Sequence, residues 1–229
     1  MKGTFIVIEG TDGSGKTTHL ELAVKKLTAD SRAVEVVDFP QYGKKSAGPV
    51  EEYLNGKYGS AQEVSPYVAS LFYAVDRFDA SFKINKALTD GKIVLANRYV
   101  PSNIAHQGAK ITDIAERQKF MHWVEEIEYG IMKLPRPDRV IFLHVPAHIS
   151  FELVEKKNER AYLQEGKKRD IHESDLLYQK AVEQSYLELA AHDTTVKTIE
   201  CAPEGKLLYI EEIHPLVMKQ IYDLFQQSA

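Results

Sequence analysis

The chain predicts an α/β fold of the doubly wound kind, a five-stranded parallel sheet covered by helices in three layers. Three observations carry that expectation. Short β-branched runs alternate with longer stretches of helical periodicity. One of those runs, Val140-Ile141-Phe142-Leu143, is apolar without interruption, as strands buried on both faces are. The first run leads into a glycine-rich loop and then an amphipathic segment, the order expected where a strand delivers a phosphate-binding turn to a helix.

The five predicted strands are Phe5 to Ile8, Val34 to Phe39, Ile93 to Ala96, Val140 to Val145 and Val196 to Cys201. Behind the first, Leu20, Ala23, Val24 and Leu27 recur at helical spacing. Ser65-Pro66 opens a long helix, with serine in the capping position and proline in the first turn. Lys156 to Asp175 is dense in charge and contains Gly166, the one clear shift of composition. In sheets of this kind ligands gather beyond the carboxyl ends of the strands, so the residues that follow each strand are the candidates for chemistry.

With 229 residues and 44% hydrophobic content, one substantial core is expected, a single domain over 1–229 with an inserted segment at about 156–175. A formal charge of −4 argues against nucleic acid or a membrane surface as partner. Cys201 is the one cysteine, so no internal disulfide is possible, and it reads as a small buried residue. The N-terminus lacks the charged start and apolar run of a signal peptide, and no apolar run is long enough to cross a membrane, so the expectation is cytoplasmic.

The loop reads Gly10-Thr11-Asp12-Gly13-Ser14-Gly15-Lys16-Thr17, a full G-x-x-x-x-G-K-[ST], with Thr18 next. Its glycines let backbone N–H groups turn onto phosphate oxygens, Lys16 reaches the terminal phosphates, and the Thr17 hydroxyl is placed for Mg²⁺. A nucleoside triphosphate is the expected ligand. Neither an N-K-x-D guanine motif nor a strand ending in Asp-Glu follows. Instead come Phe39-Pro40-Gln41-Tyr42-Gly43, Leu71-Phe72-Tyr73-Ala74-Val75-Asp76-Arg77 and Asn97-Arg98-Tyr99-Val100-Pro101-Ser102-Asn103. Tyr73 and Arg77 are four apart and share a helix face, a ring to stack on a base and a guanidinium to hydrogen-bond it; Phe72 reads as packing. His144 and His148 are also four apart, but Pro146 between them argues against a shared helical face and a zinc site. Ile127, Ile131, Leu134 and the neighbourhood of Trp123 read as core or subunit contact.

Taken in order, these motifs and the late Lys167-Lys168-Arg169-Asp170-Ile171-His172-Glu173 resemble the thymidylate kinase family, over roughly residues 3–203. The resemblance implies a nucleoside monophosphate kinase of the P-loop NTPase fold that makes dTDP from dTMP and ATP with Mg²⁺. By position it implies that Tyr73 stacks on thymine, Arg77 bonds a base carbonyl, and Asn103 meets the base edge, with Ser102, His106 and Gln107 lining the same pocket. Arg98 would hold the dTMP phosphate, Phe39 and Tyr42 would close over phosphate and sugar, His106 would favour deoxyribose, and Glu173 would bond the sugar. Gly10, Asp12, Gly13, Ser14, Gly15, Lys16, Thr17 and Thr18 form the ATP set, Thr17 and Asp12 the metal set, and Ala202 and Pro203 the adenine seat.

Members of the family carry a catalytic cation either in the phosphate loop or in a lid. Gly13 has no side chain to give, so the resemblance assigns this task to the 156–175 lid. There Lys157, Arg160, Lys167, Lys168 and Arg169 are available, with Arg160 and Arg169 the choice, above Lys16. Two residues depart from the pattern. Asn97 stands where an acidic residue is common, which shifts metal binding onto Asp12, Thr17 and ordered water, with Glu9 a further outer-shell acid. Gln41 stands where a basic residue is frequent, leaving Lys44 and Lys45 as substitutes. Family members pair through the helix after Pro66, so a homodimer is expected. A kinase of another deoxynucleoside monophosphate, such as dUMP, and a nucleotide sensor without turnover remain alternatives.

Overall fold

The structure, a computed structural model, describes residues 2–162 and 176–227. Five strands, β1 (Thr4–Glu9), β2 (Val34–Asp38), β3 (Ile93–Asn97), β4 (Arg139–His144) and β5 (Val196–Glu200), form one sheet in the order β2-β3-β1-β4-β5, and every adjacent pair is parallel. All five predicted strands are present within one or two residues of their expected ends. Helices α1 (Lys16–Ala29), α2 (Gly48–Leu54), α3 (Pro66–Thr89), α4 (Val100–Gly108), α5 (Ile114–Glu125), α6 (Ala147–Tyr162), α7 (Leu176–His192) and α8 (Ile210–Gln227) complete the chain.

Strand alternation explains the three layers. On one face Phe5, Val7, Val94, Ala96, Val140 and Phe142 pack under α3, α4, α5 and α7. On the other, Ile6, Ile8, Ile93, Leu95, Ile141 and Leu143 pack under α1 and α8. Phe5 to Ile8 of the central strand are wholly buried. Truncating Ile6 or Ile8 to alanine would open a void costing roughly 2–5 kcal/mol. Leu20, Ala23 and Leu27 are the buried face of α1, as their spacing requires, and Cys201 is buried with burial pushing its thiol up to about 12.

Two local features differ from expectation and bear on the site. Ser65 is the residue before α3 and Pro66 its first residue, but the serine side chain makes no capping hydrogen bond, so proline alone sets this start. At its far end α5 widens into a π-helical turn, Glu126–Ile131, which places Glu128 inward, fully buried, while Ile131 is exposed. Leu134 is core, and Trp123 packs edge-on against Tyr67, with ring centroids 4.8 Å apart. Among the described residues, no helix is long and apolar enough to cross a membrane.

Candidate functional site

The carboxyl ends of β1, β2 and β3 open on one side of the sheet, and the site is built there. After β1 the chain turns through Gly10 and Gly13, both at positive φ. A Cβ at Gly10 would lie 2.4 Å from Ser14 Oγ and 2.8 Å from the Leu143 carbonyl, so only glycine fits. A Cβ at Gly13 would lie 2.6 Å from the Ser150 carbonyl of α6, which explains in space why no side chain is offered there. Lys16 is buried and donates from Nζ to the carbonyls of Gly10 at 3.0 Å and Thr11 at 2.8 Å. Burial, then Arg98, lower its pKa to about 7 against the opposing pull of Asp12, Glu9 and Asp38. Thr17 and Thr18 are exposed on the first turn of α1, while the hydroxyls of Thr11 and Ser14 are buried without a partner among the described residues. Unpaired donors, positive helix end and buried cation make an anion cradle.

Beside the cradle lies a cleft of about 720 Å³, including its part open to solvent. Phe39 and Tyr42 line it after β2, Tyr73 and Arg77 from α3, Arg98 after β3, and Ser102, Asn103, His106 and Gln107 from α4. Asp12 and Leu54 complete the lining. The Phe39–Pro40 bond is cis, Phe39 is buried, and Tyr42 is exposed at the mouth.

Arg98 occupies the boundary between cradle and cleft. It sits at φ 63, a conformation non-glycine residues rarely hold, and its N–H donates to the Ile8 carbonyl at 3.0 Å. The turn is fixed by Glu9. One Glu9 oxygen accepts from the N–H groups of Tyr99 at 2.7 Å and Ser102 at 3.1 Å; the other accepts from the hydroxyls of Ser102 at 2.7 Å and Tyr186 at 2.8 Å. Glu9 is therefore committed to four buried donors and is corrected from outer-shell acid to anchor of the Arg98 turn. The guanidinium donates to Ser102 Oγ at 3.1 Å, His106 Nε2 at 3.0 Å and the Gly10 carbonyl at 3.5 Å, and it ion-pairs with Asp12. Since Arg98 can only donate, a neutral His106 carries its proton on Nδ1. Burial disfavours the Arg98 charge, but Asp12, Tyr186 and Glu9 outweigh it and its pKa is raised.

At the other end, the ring of Tyr73 meets that of Tyr53 edge-on at 6.4 Å, and Arg77 is buried four residues along. The expected role for Arg77 needs qualification. Its Nε and Nη2 donate to Glu128 at 2.5 and 2.7 Å, so only Nη1 makes no hydrogen bond within the described residues. Glu128 also accepts from Asn103 Nδ2 at 2.8 Å, and the Ser70 carbonyl accepts from the same nitrogen at 3.2 Å. Two acceptors fix the orientation of that amide, so its orphaned buried atom is the carbonyl Oδ1. Both polar atoms of the buried Gln107 amide lack partners among the described residues as well. A donor, an acceptor and a free amide are thus left unpaired in residues that line one cleft.

The remaining expectations divide. Phe72 packs on Tyr58, with centroids 5.4 Å apart. Gln41 is buried and held by Asp76, and its Oε1 accepts from Lys44 Nζ at 2.5 Å, so Lys44 is engaged with Gln41. Ala202 is buried and Pro203 follows it after β5. His144 bridges Glu183 at 2.9 Å and Glu200 at 2.6 Å, and no group of three or more metal-ligating side chains occurs among the described residues. The side chains of Lys157 and Arg160, and residues Lys167, Lys168, Arg169 and Glu173, lie outside the described residues. For Mg²⁺ the donors are oxygens, as that ion requires: the exposed Thr17 hydroxyl, Asp12, which a metal would share with Arg98, and the orphaned buried Oδ1 of Asn97.

Glu128 was not foreseen. A buried arginine demands a carboxylate, but nothing in Glu125-Glu126-Ile127-Glu128 distinguishes that partner from a solvated acidic run.

Residues 8–211 match the family model described as thymidylate kinase. A thymidylate kinase of Mycobacterium tuberculosis is 34% identical over 187 residues, covering 81% of this chain and 85% of that protein. A thymidylate kinase of Danio rerio is 28% identical over 225 residues, covering 97% of this chain and 90% of that protein. In fold, the chain is similar to the structure of thymidylate kinase from Candida albicans, with a TM-score of 0.69, 23% identity and coverage of 99% and 92% of the two chains.

Proposed function

The chain belongs to the thymidylate kinase family, and we infer from that membership and the cleft that it is an ATP-dependent phosphotransferase converting dTMP to dTDP. The observation that carries the reading is the Glu128-held pair beside Tyr73, at one end of a cleft whose other end is Arg98 against the phosphate loop. Thymine offers a carbonyl acceptor next to a ring N–H donor. Arg77 Nη1 serves the first, Asn103 Oδ1 the second, and Tyr73 stacks on the ring. Cytosine would set an amino donor against Arg77 and leave Asn103 Oδ1 without a proton to accept. Arg98 exchanges Asp12 for the dTMP phosphate, which brings that phosphate to the mouth of the loop. His106 and Ser102 hold Arg98 from behind, with Phe39 and Tyr42 over phosphate and sugar.

The acceptor oxygen is already ionised near neutral pH, so no general base is required. The protein's tasks are in-line positioning and positive charge on the transferring group. Lys16 gives that charge from the loop; Arg160 and Arg169, of the segment 156–175, are the further cations of this reading, and that segment the one that excludes water. Bound at Thr17 with help from Asp12, Mg²⁺ supplies charge neutralisation on the phosphates. ADP release measured with a panel of nucleoside monophosphates and a no-acceptor control tests the reading. Release with dTMP above all other acceptors is expected; release without acceptor would mark an ATPase, and binding without turnover a sensor.

The same reading takes residues 1–229 as one cytoplasmic domain that pairs as a homodimer. Support for pairing comes from α3, where Val68, Leu71, Val75, Phe78 and Phe82 are exposed at alternating spacings of three and four, the pattern of a helix seam. Phe82→Lys should shift the sedimentation coefficient from that of a dimer to that of a 25.9 kDa monomer.

A further inference from the structure

A phosphate loop with a threonine at its end holds its divalent cation with the help of a carboxylate at the tip of a neighbouring strand. In this chain β3, one neighbour of β1, ends in Asn97, and β4, the other, in His144, which is taken by Glu183 and Glu200. The carboxylate stands one strand further out. Asp38 ends β2 and is the register partner of Asn97. Alternation places both on the face covered by α1, since Val36 and Leu95, two residues before each, pack on that face. The contacts run the same way. Asn97 Nδ2 lies 3.5 Å from Thr17 Oγ1, and the Asn97 side chain also reaches Asp38. Asp38 is exposed at the end of β2, on the same face as Asn97 and one strand away from it. Asn97 Oδ1, buried without a donor among the described residues, is left to accept from a ligand's water.

We propose that Asp38, not residue 97, is the strand-end carboxylate that holds the hydration shell of the divalent cation on Thr17, with Asn97 as the neutral spacer between them. Asp38 is on this account a positioning residue for the metal–nucleotide complex. The inference rests on ATP binding at the phosphate loop.

The test is calorimetric ATP affinity with Mg²⁺ and with EDTA, for the unaltered chain, Asp38→Asn and the exchange Asp38→Asn/Asn97→Asp, alongside Mn²⁺ binding with ADP followed by electron paramagnetic resonance. In Asp38→Asn, metal-free ATP should bind at least as well as before, while the gain conferred by Mg²⁺ should fall by about tenfold and Mn²⁺ affinity with it. The exchange should restore both, because the carboxylate returns to the same face one strand nearer Thr17. Asp38→Ala, read in the same way, carries the test should the amide fail to fold. An unchanged metal gain in Asp38→Asn with ATP binding intact, or an exchange that restores nothing, would overturn this assignment alone. Absence of ATP binding by the unaltered chain would overturn the donor site with it.

Discussion

The donor and acceptor halves of the site are built by opposite means. The phosphate loop is contiguous: eight residues, Gly10 to Thr17, supply backbone N–H groups, carbonyls for Lys16 and the start of α1. The acceptor end is assembled from distant side chains, with Arg77 and Glu128 separated by 51 positions and Asn103 between them. Backbone recognition needs a fixed local conformation, so its residues recur as a motif. Side-chain recognition needs three elements docked correctly, and its strength is tied to the stability of the fold.

The sharpest test of this contrast is Lys16→Ala. Turnover should fall by about 10³-fold with the circular dichroism melt unchanged, because the lysine's burial serves the ligand and its partners are carbonyls that water can serve. A large loss of stability would break the comparison by making the loop structural too. Glu128→Gln should do the reverse. It leaves the Arg77 charge buried without a counter-ion, costing about 3–5 kcal/mol, while kcat/KM for dTMP falls by about 10²-fold and ATP affinity holds. Equal losses for both substrates would show that the two halves are not separable.

Gln107→Leu is a finer probe. Its amide has no partner among the described residues, so the variant should melt no lower than the parent, while dTMP affinity drops up to about tenfold if the ligand satisfies that amide. Lower stability with unchanged affinity would place the amide in the fold instead. The smallest expected effect belongs to the donor side. Lys16, lowered to about 7 when free, is mostly neutral at about pH 8, and a bound triphosphate raises its pKa, so ATP binding should take up nearly one proton there. Affinity should fall as pH rises above 7, by up to about tenfold per unit, and show no dependence from this group below it. Calorimetry in two buffers of different ionisation enthalpy reads the proton directly, and no uptake would mean that Lys16 is charged in the free protein.

The same contrast governs what the sequence could disclose. The β-branched runs located every strand; β1, β3 and β4 are continuously apolar through their centres because the sheet is covered on both faces there, while the edge strands β2 and β5 keep Glu35 and Lys197 among their β-branched residues. Tyr73 and Arg77 were recognisable as a pair because helix geometry alone puts them on one face. Glu128 was hidden in a π-helical turn that no local pattern announces, and Glu9 read as an outer-shell acid because its four donors arrive from two other elements. Asp38 lies inside the predicted run Val34 to Phe39, and its relation to Thr17 exists only through the register of β2 on β3.

The close approach of Gly13 to Ser150 also constrains how this enzyme could be redesigned. A Cβ at position 13 would meet the Ser150 carbonyl at 2.6 Å and Val154 Cγ2 at 3.1 Å, and the first of these is backbone that no rotamer change relieves. Moving the donor-side cation proposed for the 156–175 segment into the phosphate loop is therefore not a single substitution. An arginine at position 13 becomes possible only after α6 has been rebuilt further from the loop, and rebuilding α6 displaces the helix that leads to the segment proposed to carry the cations. Between the two arrangements lies a variant with neither, so exchange of one design for the other requires coordinated changes on both sides of a contact that now has no room for a methyl group.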